Sequence, residues 1–505
     1  MAEAKWDRHG DGPQDDAPVV DVDRSEWRRR SVHGAAASMV SQGIRLVVQT
    51  GTQVMLARLL TPSAFGLVAM AAPVIGFAQL FGRLGLLEAV VQRPKISQAE
   101  LSGLFWINVG AGAVLAALLF AASPLVAWVY AEPRTATITQ CLGGLLIVGG
   151  FSALPMALMN RRLRFVSLAA IDVGSAVVTA AVGIGAALAG WGYWSLVWMQ
   201  IANAFVTLTM SWWFAGWRPS WPRRVAGIAS LLRFGSQVTA SSLVLSLSYT
   251  LDDVLVGMAW GTVPLGLYDR GFRLMLRPVM QIATPFQRVA VPLLSRLQGE
   301  PDGYRAAYTR LLQAVLFATT PVILFAICMA HRLVPLVLGQ RWDAAVPFFV
   351  WFGLGALLTP VNASTNWLFI SQNRTHHEVR WNAIGATISL LALLSGLPWG
   401  ATSAAATKVT VGALLWTPLL WRAVTREGPV RLTHLVRALY PTALAGTAVA
   451  VALSVTAPLL ARQGLVGLAG ALALSYAVYA LCYACVPEGN RALHALLPLW
   501  RRAQA

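Results

Sequence analysis

Charge is what this sequence has least of. Only 12% of its 505 residues are Asp, Glu, Lys or Arg, about half the share of a soluble globular domain. That deficit excludes a soluble enzyme, and a chain that is 57% hydrophobic is not an intrinsically disordered one. Carboxylates are scarcer still, with 21 Asp and Glu against 39 Lys and Arg and a formal net charge of +18. Cysteine is nearly missing. Cys141, Cys328, Cys482 and Cys485 all lie in apolar stretches, too few for a disulfide scaffold. The last two share a C-x-x-C spacing without a thioredoxin-like context, so all four are expected as small buried hydrophobes. The G-x-x-x-x-G-K-[ST] pattern of a nucleotide-binding loop does not occur. His376-His377 has no further ligands near it in sequence, so neither a metal nor a cofactor is expected.

Apolar length is abundant. Mean hydropathy is +0.61, and 20 Trp with 43 Gly suit membrane spans and their interfacial belts. The composition is that of an all-α polytopic membrane protein. A bilayer crossing takes about 20 apolar residues, and windows of that length give about 14 spans. The first is read at 34–57, the seventh at 235–257, the eighth at 271–293, the tenth at 345–370 and the twelfth at 402–421.

The placement of positive charge argues against nucleic acid. Residues 1–30 hold 8 acids and 6 bases, leaving 33 bases against 13 acids in the rest. Those bases cluster in short segments between spans, as at Arg161, Arg162 and Arg164, or Arg422, Arg426, Arg431 and Arg437. With the N-terminus inside, about 28 of the 39 Lys and Arg fall on the cytoplasmic side and about 7 opposite, so both termini are expected in the cytoplasm. Residues 1–33 read as a disordered cytoplasmic tail without a cleavable leader. No connecting segment is large enough for a separate catalytic domain.

The chain repeats itself. Pro73-Val74 with Phe81 and Arg83 recurs as Pro278-Val279 with Phe286 and Arg288. Trp191-Gly192-x-x-Ser195 returns as Trp399-Gly400-x-x-Ser403, and Asn160-Arg161 as Asn373-Arg374. The order of these matches predicts two pseudo-symmetric six-helix lobes, residues 34–232 and 233–425. A further helix pair and a C-terminal tail occupy 426–505. Transporters commonly hold their substrate between such halves.

Charged side chains inside a span are costly and face a cavity or a partner. Gln42, Arg45, Gln49 and Gln53 recur at helical spacing on the first span. They line either a wet cavity or an interhelical hydrogen-bond seam. On the eighth span lie Arg277 and Arg288 beside Pro278, Pro285 and Pro292, whose seven-residue spacing predicts a bent or broken helix. Arg277 either lines the cavity or snorkels to the interface. Arg83, the repeat partner of Arg288, and Lys408 on the twelfth span complete the candidate cations. Lys408 could instead rest against a carbonyl. A cavity rich in guanidinium and poor in carboxylate suits a diphosphate, which the arginine fork binds bidentately. Asp252 and Asp253 end a polar stripe of Thr239, Ser242, Ser246 and Thr250 on the seventh span. Either carboxylate could bind a coupling ion or a proton, pair with a cation, or serve a structural contact, and Asp253 fits the stripe better.

Loop signatures add a resemblance. Leu59-Leu60-Thr61-Pro62-Ser63-Ala64-Phe65-Gly66-Leu67 resembles the L-T-P-x-x-F-G signature of bacterial polysaccharide transporters. So do Gly190 to Leu196, Phe234-Gly235, Leu265-Gly266-Leu267-Tyr268 and Gly339-Gln340-Arg341-Trp342. The chain is identified as similar to the Wzx-like O-antigen and exopolysaccharide flippases of the MOP superfamily. That resemblance implies the MOP flippase fold and a location in the bacterial cytoplasmic (inner) membrane. It implies flipping of an undecaprenyl-diphosphate-linked oligosaccharide across that membrane, without catalysis. Membrane lipid is the further partner, and polysaccharide polymerase or export proteins are possible ones. A related MOP carrier, for lipid II or for drugs by cation antiport, is the alternative.

Overall fold

The computed structural model describes residues 24–83, 90, 96–221, 251–460, 464–487, 489 and 490. Among these every regular element is helical and no strand occurs. The chain divides into two compact units, Met1–Leu60 with Met70–Leu247, and Thr61–Ala69 with Ser248–Ala505.

The first unit holds α1 (Arg24–Leu59), most of α2 (Pro62–Arg83), α3 (Gln98–Tyr130), α4 (Arg134–Arg161), α5 (Phe165–Leu188) and α6 (Trp194–Ala215). Helix α1 starts well before residue 34, so the expected tail is helical from Arg24 onward. A capping box starts α3. The Glu100 backbone N–H donates to Ser97 Oγ at 3.2 Å, and the Ser97 N–H donates to Glu100 Oε2 at 2.9 Å. Helices α3 and α4 approach closely because Gly112 lies on the Leu146 carbonyl, where a Cβ would stand 2.6 Å away. Small residues allow such backbone contact between membrane helices, and Asn108 adds a 3.2 Å hydrogen bond to the Gly150 carbonyl.

The second unit begins with the last described part of α7 (251–260) and continues through α8 (Thr262–Arg296), α9 (Pro301–Cys328) and the short α10 (Ala330–Leu338). After a 3-10 turn come α11 (Val346–Ala356), α12 (Thr359–Ser371), α13 (Thr375–Gly396), α14 (Ala401–Val411) and α15 (Thr417–Arg426). A π turn, Gly412–Trp416, joins the last two. Helices α16 (Leu432–Leu460) and α17 (Gly464–Cys485) close the chain and pack on α9.

Eight helical stretches among the described residues are long and apolar enough to cross a bilayer. Helices α1 and α8 exceed that length, but polar side chains interrupt them. The seventh span expected at 235–257 lies mostly outside the described residues.

Helix α8 runs through Pro278, Pro285 and Pro292 without a break. All three prolines are exposed, so each missing N–H falls on the open side of the helix. In the tenth span a two-residue turn, Leu357-Leu358, separates α11 from α12, with both residues in the right-handed helical region and Pro360 near the start of α12.

Two of the segments compared in the sequence share a local geometry, in a shifted register. After α4, Leu163 turns left-handed (φ 53°) and Arg164 donates to the Phe214 carbonyl at 2.8 Å, near the end of α6. After α12, Asn373 does the same (φ 56°) and Arg374 bonds the Glu427 carbonyl just past α15. Thus Leu163-Arg164 matches Asn373-Arg374, whereas Asn160-Arg161 are still helical. The cysteines are free, but they are less buried than expected: Cys141, Cys328 and Cys482 are half-buried and Cys485 is exposed.

Candidate functional site: a cationic stripe on a membrane-length helix

Helix α8 carries six polar side chains in line: Arg270, Arg273, Arg277, Gln281, Thr284 and Arg288. Their spacings of three and four residues keep them within about 40° of one meridian. Met275, Val279 and Ala290 are buried on the opposite side. Arg277, Gln281, Thr284 and Arg288 are exposed. A helix of 35 residues is about 52 Å long, more than the thickness of the hydrocarbon, and carries polar atoms along one whole side. Guanidinium groups that faced acyl chains would do so at large cost.

The upper part of the stripe is built into protein. Asp269, buried, accepts a short hydrogen bond from Arg273 and lies 3.5 Å from Arg270 Nε. The Arg270 guanidinium stacks over the Phe65 ring at 4.0 Å. Phe65 in turn meets Trp342 edge-on at 5.4 Å. Gly66 and Gly266 cross beneath them, each seated on the backbone of the other helix start. Three of the loop signatures therefore assemble at one junction around Arg270 within the second unit. Leu265 to Tyr268, expected between spans, form the first turns of α8 and are buried. Arg277 and Arg288 form no ion pair among the described residues and are the open members of the stripe.

Elsewhere in the second unit, Lys408 is not a lone lysine. It makes a short ion pair with Asp252, at side-chain exposures of 19% and 8%. Asp253, the carboxylate favoured from the sequence, is half-buried beside that pair, within electrostatic reach of Asp269 and Arg273. The rest of its stripe, Thr239 to Thr250, lies outside the described residues. Breaking the pair on one side should be worse than removing both charges. Lys408→Met is expected to lower stability by about 3 kcal/mol, and Lys408→Met with Asp252→Asn to recover most of it. Melting of the detergent-purified protein checks this, and equal melting points for the two variants would refute it.

In the first unit, Arg45 Nη1 donates to Asp172 Oδ1 on α5 at 2.8 Å. Both side chains stay partly open, at 47% and 36% exposure. The bond joins two helices, as the hydrogen-bond-seam alternative for this residue expects. Gln42 and Gln49 are exposed on the same face, and Gln53 is half-buried. Exposed Val40 and Val47 lie on roughly the opposite side of α1. The Arg83 side chain lies outside the described residues.

Sequence reasoning missed Asp269 and Arg270 because the eighth span was taken to start at 271, and it passed over Arg273 inside that span. The three-four spacing running back from Arg277 was the available signal.

Comparison with known proteins places the chain in a family. Residues 55–347 match the family described as polysaccharide biosynthesis protein. The chain is 25% identical over 394 residues to the lipopolysaccharide biosynthesis protein WzxC of Escherichia coli (strain K12), covering 77% of this chain and 78% of that one. It is 22% identical over 306 residues to the succinoglycan biosynthesis transport protein ExoT of Rhizobium meliloti (strain 1021), covering 60% and 62%. Among solved structures, the lipid II flippase MurJ in an inward closed conformation shares the fold, with a TM-score of 0.68 at 11% identity over 90% of this chain and 98% of that one. An inward-facing MATE multidrug resistance transporter of the MOP superfamily gives 0.57 at 12% identity, covering 77% and 99%. With more than half of its length matching, the chain belongs to the polysaccharide biosynthesis protein family.

Proposed function

We propose that this protein flips undecaprenyl-diphosphate-linked oligosaccharide repeat units from the inner to the outer leaflet of the bacterial cytoplasmic membrane, for exopolysaccharide or lipopolysaccharide synthesis. The observation that carries the reading is the open stripe of Arg277, Gln281, Thr284 and Arg288 on α8, opposite the helix's buried side. A diphosphate is the membrane-borne anion such a stripe suits, because each guanidinium can bind two phosphate oxygens. The first unit offers Arg45 with Gln42, Gln49 and Gln53; Arg83 is the remaining cation of the proposal, since Lys408 is taken up by Asp252. Gln281 and Thr284 suit the hydroxyls of the first sugar. The polyprenyl tail stays in lipid, and alternate exposure of the cations to the two faces of the membrane carries the head across. No bond is made or broken, so the protein acts as a carrier and not as an enzyme. Asp253 and Asp252 are the carboxylates through which a coupling cation or proton would act.

Deleting the gene is expected to leave radiolabelled lipid-linked repeat units in the inner leaflet, closed to an external glycosidase. Arg45→Ala should abolish polymer export while the protein still accumulates. Repeat units that reach the outer leaflet at the normal rate without this protein would end the reading.

A further inference from the structure

Three of the candidate cations, Arg45, Arg273 and Lys408, pair with a carboxylate, and the exposure of those carboxylates sorts them into two kinds. Asp269 at 5% exposure and Asp252 at 8% are buried, although Arg273 itself is 38% exposed. Asp172 at 36% is open, and so is its partner Arg45 at 47%. The two meet through one 2.8 Å bond, although a guanidinium has five N–H donors in a fork that matches paired oxygens. Most of the donor capacity of Arg45 is therefore not used by Asp172. Gln42 and Gln49, exposed on the same face, border it with further amide donors.

We propose that Asp172 is an exchange carboxylate: it occupies Arg45 while the carrier is empty and yields it to the diphosphate head when the lipid binds. The inference rests on the reading of this protein as a diphosphate-lipid carrier. A bare guanidinium inside a span is costly, so an empty carrier needs a counter-ion for Arg45. A monodentate carboxylate meets that need and loses to a bidentate, multiply charged head. When the head departs, Asp172 closes again, which limits how tightly Arg45 retains the lipid. Asp172 is thus a positioning residue that sets affinity without touching substrate.

The test uses the full-length protein in nanodiscs, with farnesyl diphosphate and inorganic pyrophosphate as probes in equilibrium binding. Asp172→Asn should bind both probes about three- to five-fold tighter than the parent, the range expected when a solvent-reached ion pair no longer competes. Arg45→Gln should bind both at least about ten-fold weaker, and adding Asp172→Asn to it should change nothing further, since the two residues act on one contact. A gain seen with farnesyl diphosphate but not pyrophosphate would overturn the proposal, because the exchange is with the charged head. So would unchanged or weaker binding by Asp172→Asn, or a gain that survives in the Arg45→Gln background. Parent-like binding by Arg45→Gln would instead remove Arg45 from the diphosphate reading itself, a separate failure. Should Asp172→Asn not accumulate, the swap Arg45→Asp with Asp172→Arg keeps the pair and carries the test. Accumulation with restored binding supports exchange; accumulation without binding, or no accumulation, overturns it.

Discussion

Replacing Arg277 and Arg288 together by alanine is expected to lower polymer export by at least about a hundred-fold with little change in protein level. A hydrogen bond to a charged group contributes about 1.5–3 kcal/mol, so two lost phosphate contacts amount to about 3–6 kcal/mol. The stability cost should stay within about 0.5 kcal/mol, because both side chains are exposed and neither forms an ion pair among the described residues. Lysine at both positions keeps the charge and loses the fork, so it should recover export only in part. Export measured as extracellular polymer per unit of membrane protein checks the series. Full export by the alanine pair would mean that the stripe serves some other purpose.

Valine at Gly66 or at Gly266 should be the most damaging packing change in the chain. A Cβ on Gly66 would stand 1.7 Å from the Thr262 carbonyl oxygen, and one on Gly266 would stand 2.1 Å from that of Pro62. Both obstacles are backbone, so no side chain can turn away. Overpacking of this kind costs about 3 kcal/mol or more, since two helix starts must separate. Loss of accumulation, or a melting point lowered by several degrees, is the expected readout. Gly51→Ala provides the contrast. Nothing lies within 4 Å of its Cβ, and alanine favours the helix by up to about 1 kcal/mol. A Gly66→Val protein that melts with the parent would disprove the close crossing.

These two residues show where sequence reading was strong and where it stopped. Phe65-Gly66 and Gly266 were recognisable as signature residues, but their mutual contact joins positions 200 apart in sequence and has no local trace. Arg277 and Arg288 were legible from helical spacing alone. Their neighbour Arg270 was equally legible and was lost to a hydropathy boundary, whereas Arg273 lay inside the span and its three-four spacing from Arg277 was passed over. Lys408 looked solitary since its partner Asp252 lies 156 residues away. The proline series pointed to a bent or broken eighth span, and the helix continues through all three prolines because each lost donor is on an open side.

By itself the sequence determined the membrane class, the helical architecture and the alignment of cations along one side of α8. Those follow from composition and from a period of 3.6 residues, which are properties of neighbours along the chain. Only the tertiary structure decided which cations are neutralised by a carboxylate and which stay open. Ion pairing depends on distances between helices over a hundred residues apart, and a one-dimensional pattern holds no record of them.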